Sequence, residues 1–267
     1  MKLKLFGFTL FSLLAIGSVH AQKSCSASIV SCGCLITRAT LYTIDADLSV
    51  SQGLTPQNAC IEISVAHAKL ILNNHAITGA GKGIGIHILP TGTYTFLEGG
   101  PVGQPMTGWE FGIESDADNV IIDTPFMQGN STGILLKQTY NNKVSMLTGN
   151  IINQNSVYGI WIDGGNSNQI DSVHTERNGI AGVYVGCSST GPTGTPCSPA
   201  QVSSGNVIYH NYEIEDVGPY SLVLEAGSTR NTVMNNIINS AFDGNTNCAK
   251  NLWFDNAVTT ANAACIH

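Results

Sequence analysis

Seven short segments along the chain alternate aliphatic residues with residues that are free to vary. In chain order they are Gly85-Ile86-His87-Ile88-Leu89, Gly112-Ile113-Glu114-Ser115-Asp116, Gly133-Ile134-Leu135-Leu136-Lys137, Gly159-Ile160-Trp161-Ile162-Asp163, Gly182-Val183-Tyr184-Val185-Gly186, Ser221-Leu222-Val223-Leu224-Glu225 and Asn251-Leu252-Trp253-Phe254-Asp255. The second and fourth positions are mostly aliphatic. Period-two alternation predicts short strands with one face buried and the other facing water.

A second column supports the same reading. It is an Asn two residues before a β-branched aliphatic residue: Asn119/Ile121, Asn142/Val144, Asn168/Ile170, Asn206/Ile208 and Asn231/Val233. Successive steps of 23, 26, 38 and 25 residues place one coil in each repeat. The strand column steps by 27, 21, 26, 23, 39 and 30 residues, and both long steps cross the stretch from Cys187 to Cys197. One insertion of about fifteen residues accounts for both. Asn suits such turns because it tolerates left-handed backbone and its amide bonds the same amide one coil away.

The repeat opens at Lys69-Leu70-Ile71-Leu72-Asn73-Asn74-His75-Ala76-Ile77-Thr78-Gly79, followed by a Gly-rich turn and the first Gly-Ile-x-Ile strand. This run resembles the opening coils of the pectin-lyase-like superfamily, in particular its proteins with NosD-type repeats, although Asn74 stands where that pattern usually has Gly. The resemblance covers roughly residues 61–256 and implies an all-β, single right-handed parallel β-helix, here of about 7–9 coils. It implies little about activity. The chain has none of the Asp-Asp, Gly-His-Gly, Arg-x-Lys or Asp-Pro-His motifs of the superfamily's enzymes, so no catalytic residue carries over.

Residues 1–21 read as an export signal: Lys2 and Lys4 precede an apolar run from Leu5 to Ile16, with Val19-His20-Ala21 as the cleavage site. Residues 22–66 read as a Cys-rich N-terminal cap with a first strand, 67–256 as the β-helix, and 257–267 as a C-terminal tail. All eight cysteines follow the signal, which predicts disulfides and a secreted or periplasmic address. Spacing pairs Cys187 with Cys197 and Cys248 with Cys265, leaving two bridges among Cys25, Cys32, Cys34 and Cys60 with the pairing open. No later segment is long enough to span a membrane.

Removing Lys2 and Lys4 leaves 9 basic against 18 acidic residues, a formal charge of −9. That balance excludes nucleic acid as a partner. With 29 Gly and 24 Asn, the composition suits a turn-rich solenoid. Asn130-Ser131-Thr132 is a formal glycosylation acceptor.

Stacking the strands turns their variable positions into an outer face. Trp161, Tyr184, Trp253, His87 and Glu114 are the candidate substrate-binding residues, because aromatic faces suit sugar rings and carboxylates accept hydrogen bonds from sugar hydroxyls. The competing expectation is that the aromatics pack beneath the Cys187–Cys197 loop.

Asp116, Lys137 and Asp163 fall on three consecutive coils and form the first catalytic candidate. The two carboxylates should stand about 9–10 Å apart, near the roughly 6.5–9.5 Å of inverting glycosidases. Lys137 could instead be the base of a uronate lyase, or the three could form a charge-balancing ladder. A second candidate places His174 and Arg177 on one coil and His210 and Tyr212 on the next, near Glu176, Glu213, Glu215 and Asp216. That group reads equally as a turn network or a calcium site. No metal ligand set is otherwise evident. The reading is therefore a secreted β-helix protein that binds a polysaccharide on this face, with cleavage or epimerisation as its chemistry if it is an enzyme. The alternative is a noncatalytic module for a protein partner.

Overall fold

The computed structural model describes residues 23–50, 59–99, 104–123, 126–146, 151–188, 191–192, 197–198, 201–212, 216 and 218–267. The expected signal segment and residues Glu213 and Glu215 lie outside them. The chain is an all-β parallel solenoid of about seven turns with almost no helix. Its strands form three parallel sheets: a long sheet of 11 strands, a second sheet of 10 and a third of 6.

The long sheet is built from the Gly-led segments in the expected register. Ile113 pairs with Ile86 and Ile134, Ile160 pairs with Ile134 and Val183, and Val183 pairs with Leu222. These inward side chains are fully buried and stack like on like through the core. Their burial supplies the cohesion that no single coil could provide alone. Glycine leads five of these strands where adjacent coils approach closely: a Cβ on Gly133 would stand 2.6 Å from the carbonyl oxygen of Gly159.

The seventh segment departs from the expectation. Leu252–Phe254 belongs to the second sheet, where Val233 pairs with Trp253, and the place after Leu222–Leu224 in the long sheet goes to Ile237–Asp243. Trp253 points inward, 3% exposed, and its indole N–H donates to Asp243 Oδ2 at 2.9 Å. It is a core residue and leaves the outer face to Phe242, which pairs with Val223.

The solenoid also extends beyond the repeat at both ends. Cys34–Ile36 already stacks on Ala59–Ile63, and Ala257–Ala261 forms the last strand of the long sheet. Four disulfides staple the structure: Cys25–Cys34 and Cys32–Cys60 near the N-terminus, Cys187–Cys197 across the insertion and Cys248–Cys265 near the C-terminus.

Asparagine ladders stitch three corners. In the expected one, Asn168 donates its backbone N–H and its Nδ2–H to Asn206 Oδ1, at 2.9 and 3.2 Å. Asn206 does the same to Asn231, and Asn231 to Asn251. Asn119 is not a member. Val120, not Asn119, donates its N–H to Asn142 Oδ1, and Ile122 rather than Ile121 pairs with Val144.

Asn119 instead occupies the left-handed position just before the ladder, at φ 58°, as Asn141 and Ser167 do at φ 57°. Asn fits both adjacent positions, so the sequence pattern slipped by one residue there. A second ladder runs Asn130–Asn155–Asn178–Asp216 and a third Asn211–Asn236–Asn256. Asn130 Nδ2 donates to Met106 O and Asn155 Oδ1, so the formal glycosylation acceptor is buried in a ladder.

Candidate functional site

Sheet register fixes the site. His87, Glu114, Leu135, Trp161 and Tyr184 occupy one outward column of the long sheet. Asp116, Lys137 and Asp163 project two residues further along on the same face, and Lys137 pairs directly with Asp163. Seven of these residues, all but Tyr184, meet in a depression of about 390 Å³. Its polar lining is His87, Glu114, Asp116, Lys137 and Asp163, and its apolar lining is Ile84, Phe111, Leu135 and Trp161.

The polar groups pair across turns. His87 Nε2 lies 3.0 Å from Asp116 Oδ2, and Lys137 Nζ lies 3.0 Å from Glu114 Oε1. Glu114 is 5% exposed, so this ion pair is largely buried on its carboxylate side. Burial works to lower the Lys137 pKa, but the hydrogen bond and charge of Glu114, with Asp116 and Asp163, more than offset it and hold the amine above its ordinary range. Burial pushes Asp163 up to about 6, against the pull of Lys137 and a hydrogen bond from Gln201. Asp163 Oδ1 and His87 Nδ1 are buried without a hydrogen-bond partner. On the turn before His87, Glu62 is raised by burial, which His87 partly opposes.

The aromatic residues divide. Trp161 lines the depression but is only 9% exposed, and its indole N–H donates to the carbonyl of Gly186 at 2.7 Å. Tyr184 is fully buried, stacked on Tyr158 with ring centroids 4.4 Å apart. The Tyr158 hydroxyl donates to Ser188 O and accepts from the Gly191 N–H. The buried carboxylate of Glu225 accepts the Cys187 and Ser188 N–H groups.

Thus Ser188 and Gly191 of the disulfide-closed insertion bond to Tyr158, whose ring lies against Tyr184. Tyr184 is a structural support for that loop and is inaccessible to ligand. The same insertion brings Gln201 to Asp163.

The second candidate group does not converge in this way. Arg177 is exposed and pairs with its neighbour Glu176 at 2.8 Å, whereas His210 Nδ1 lies 3.9 Å from Asp171, which also binds Lys143 and Tyr209. Tyr212 is exposed, and the carbonyl of His174 accepts the Ile152 N–H. A larger open groove, about 630 Å³, lies along Thr229–Asn231 and Ala249–Leu252. It presents Arg230 and Lys250 but neither a carboxylate nor an aromatic ring, and its asparagines are already bonded in a ladder.

Two residues that touch this site lie outside the alternation signal. Phe111 precedes the Gly-led segment, and Gln201 lies in the insertion, where no repeat marks it. Among the described residues no helix is long and apolar enough to cross a membrane.

No protein-family model matches the chain, and no curated protein matches its sequence. Among solved structures it is similar to the crystal structure of the Dettilon tailspike protein (gp208), with a TM-score of 0.38 and 13% identity. That match covers 88% of this chain and 60% of the tailspike chain, so the chain spans under two thirds of the tailspike's length.

Proposed function

We propose that the protein binds a polysaccharide segment in the depression on the long sheet, and that it works in an oxidising compartment. One observation carries the binding reading: five titratable side chains converge with an apolar wall in one depression of about 390 Å³. An apolar wall takes the flat face of a sugar ring, and paired carboxylates and an ammonium satisfy its hydroxyls. The four disulfides, with no free cysteine among the described residues, support the compartment.

A catalytic reading rests on Asp163. A carboxyl pushed up to about 6 at the wall of the depression is a competent proton donor to a glycosidic oxygen near neutral pH. Asp116, held by His87, is then the carboxylate that takes the proton of the attacking water. Lys137 keeps its proton and serves to hold charge. An amine raised above its ordinary pKa is a poor base, which favours hydrolysis over elimination or epimerisation.

The test is a glycan array probed with the wild-type chain and with a Lys137→Gln, Asp116→Asn double variant whose fold is checked by circular dichroism. Binding that the double variant loses supports the site, and binding that it retains places the glycan elsewhere. No binding to any glycan favours the protein-interaction module. Incubation with neutral and uronate polymers separates the chemistries, since hydrolysis releases reducing ends and elimination leaves unsaturated products.

A further inference from the structure

We infer that His87, Glu114 and Asp116 form a site for one transition-metal dication of the zinc class. Parallel pairing sets His87 directly beside Glu114 on the next turn, and Asp116 follows on the same face, so rigid sheet and not loop positions all three donors. One donor atom from each lies within 4.8 Å of the others. Around a tetrahedral ion with metal–ligand bonds of about 2.0–2.2 Å, donors stand about 3.3–3.6 Å apart, so side-chain rotation has to close the widest of these separations by up to about 1.5 Å.

Charge favours an ion there as well. The depression holds the carboxylates Glu114, Asp116 and Asp163 against the single ammonium of Lys137. His87 Nε2, now 3.0 Å from Asp116 Oδ2, would give its lone pair to the ion and leave the ring proton on Nδ1, which is buried without an acceptor, a cost that the metal bonds have to exceed. The imidazole sets the class of metal. Calcium takes six to eight oxygen ligands, whereas one imidazole with two carboxylates suits zinc, manganese or cobalt. Three protein ligands would leave one position of a tetrahedral ion for water or another ligand. Lys137 is the competitor, because its ammonium already occupies one oxygen of Glu114.

The metal site shares His87, Glu114 and Asp116 with the proposed glycan site, and an Asp116 bound to metal is not the free base of the hydrolytic reading, so the test uses the metal alone. Disulfide-intact, tag-free protein is stripped with chelator, then titrated with zinc by calorimetry and with cobalt by visible absorption. The expected result is one site per chain, with calcium far weaker. His87→Ala or Asp116→Asn should weaken zinc by more than about 10-fold, since even outer-shell losses cost that much. Lys137→Met should tighten it by about tenfold by removing a neighbouring positive charge.

His87→Gln, with its fold verified by circular dichroism, guards against an unfolded alanine variant. No saturable zinc binding overturns the inference. So does binding that His87→Gln and Asp116→Asn leave unchanged, or that Lys137→Met weakens.

Discussion

The indole N–H of Trp161 donates to the carbonyl oxygen of Gly186 at 2.7 Å, tying one turn to the start of the insertion on the next. The bond makes Trp161 a wall of the depression and an anchor for the disulfide-closed loop at once. Tyr158 tilts against it at 5.4 Å and Tyr184 stacks on Tyr158, so the three rings form a cluster on the outer face, separate from the core inside the coils.

Trp161→Ala should therefore be a stability mutation before it is a binding mutation. Removing a largely buried Trp costs about 3–5 kcal/mol. In a chain of this length that corresponds to a fall in Tm of roughly 10 °C. Trp161→Phe keeps a ring but drops the hydrogen bond to Gly186, for about 1 kcal/mol. Thermal unfolding of both variants checks this. A Trp161→Ala chain that melts like the wild type would show an accessible, unanchored indole.

The fold was legible because two constraints coincide in each Gly-led strand: alternation marks the buried face, and glycine marks the close approach between coils. Trp253 shows where that signal fails. Leu252-Trp253-Phe254 is apolar throughout, so alternation cannot set its phase, and the structure buries Trp253 while Leu252 stays 55% exposed. Tyr184 shows a different limit. Its column was readable, yet its cover was not, because the insertion has no counterpart on other coils to reveal where it folds. The charged half of the site was readable for the opposite reason: His87, Glu114, Asp116, Lys137 and Asp163 all sit on coils that keep strict register.

Asn206→Ala should separate ladder asparagines from turn asparagines. Asn206 Oδ1 accepts two donors from Asn168, and its own Nδ2 donates to Asn231 Oδ1 and to Gly165 O. Alanine strands both Asn168 donors in the interior, at about 1–3 kcal/mol for each buried group. Asn119→Gly, at the left-handed turn position, should lose much less, because glycine adopts that backbone without strain and the one side-chain bond given up, from Asn141 Nδ2, is exposed to water. Urea midpoints for the two variants make the comparison. Equal losses would mean that the ladder bonds contribute nothing beyond turn geometry.

Asp216 closes the second ladder as a carboxylate where Asn130, Asn155 and Asn178 are amides, and this sets a pH dependence. Its Oδ1 accepts the backbone N–H and Nδ2–H of Asn178, both at 2.7 Å, and its Oδ2 accepts the Thr175 hydroxyl at 3.2 Å. Burial nevertheless dominates these bonds and, with the charge of Glu176, pushes the carboxyl from 3.8 up to about 6. A folded-state pKa above the unfolded value means that the native chain holds the proton more tightly. The resulting stability is fully present below about pH 4 and is lost as pH rises through about 6.

Asp216→Asn removes that loss while keeping an oxygen for Asn178 and placing an amide against the Thr175 hydroxyl. The variant should therefore be more stable than the wild type at about pH 7.5, by about 2–3 kcal/mol, and nearly equal to it at about pH 4. Asp163, raised to about 6 in the depression, contributes in the same window and in the same direction, so the variant should retain part of the slope. Adding Asp163→Asn should flatten most of the remainder. Urea unfolding at the two pH values reads all three chains, and a wild-type chain that gains stability between pH 4 and 7.5 while Asp216→Asn gains nothing over it would show that the ladder carboxylate is ionised and content in its bonds.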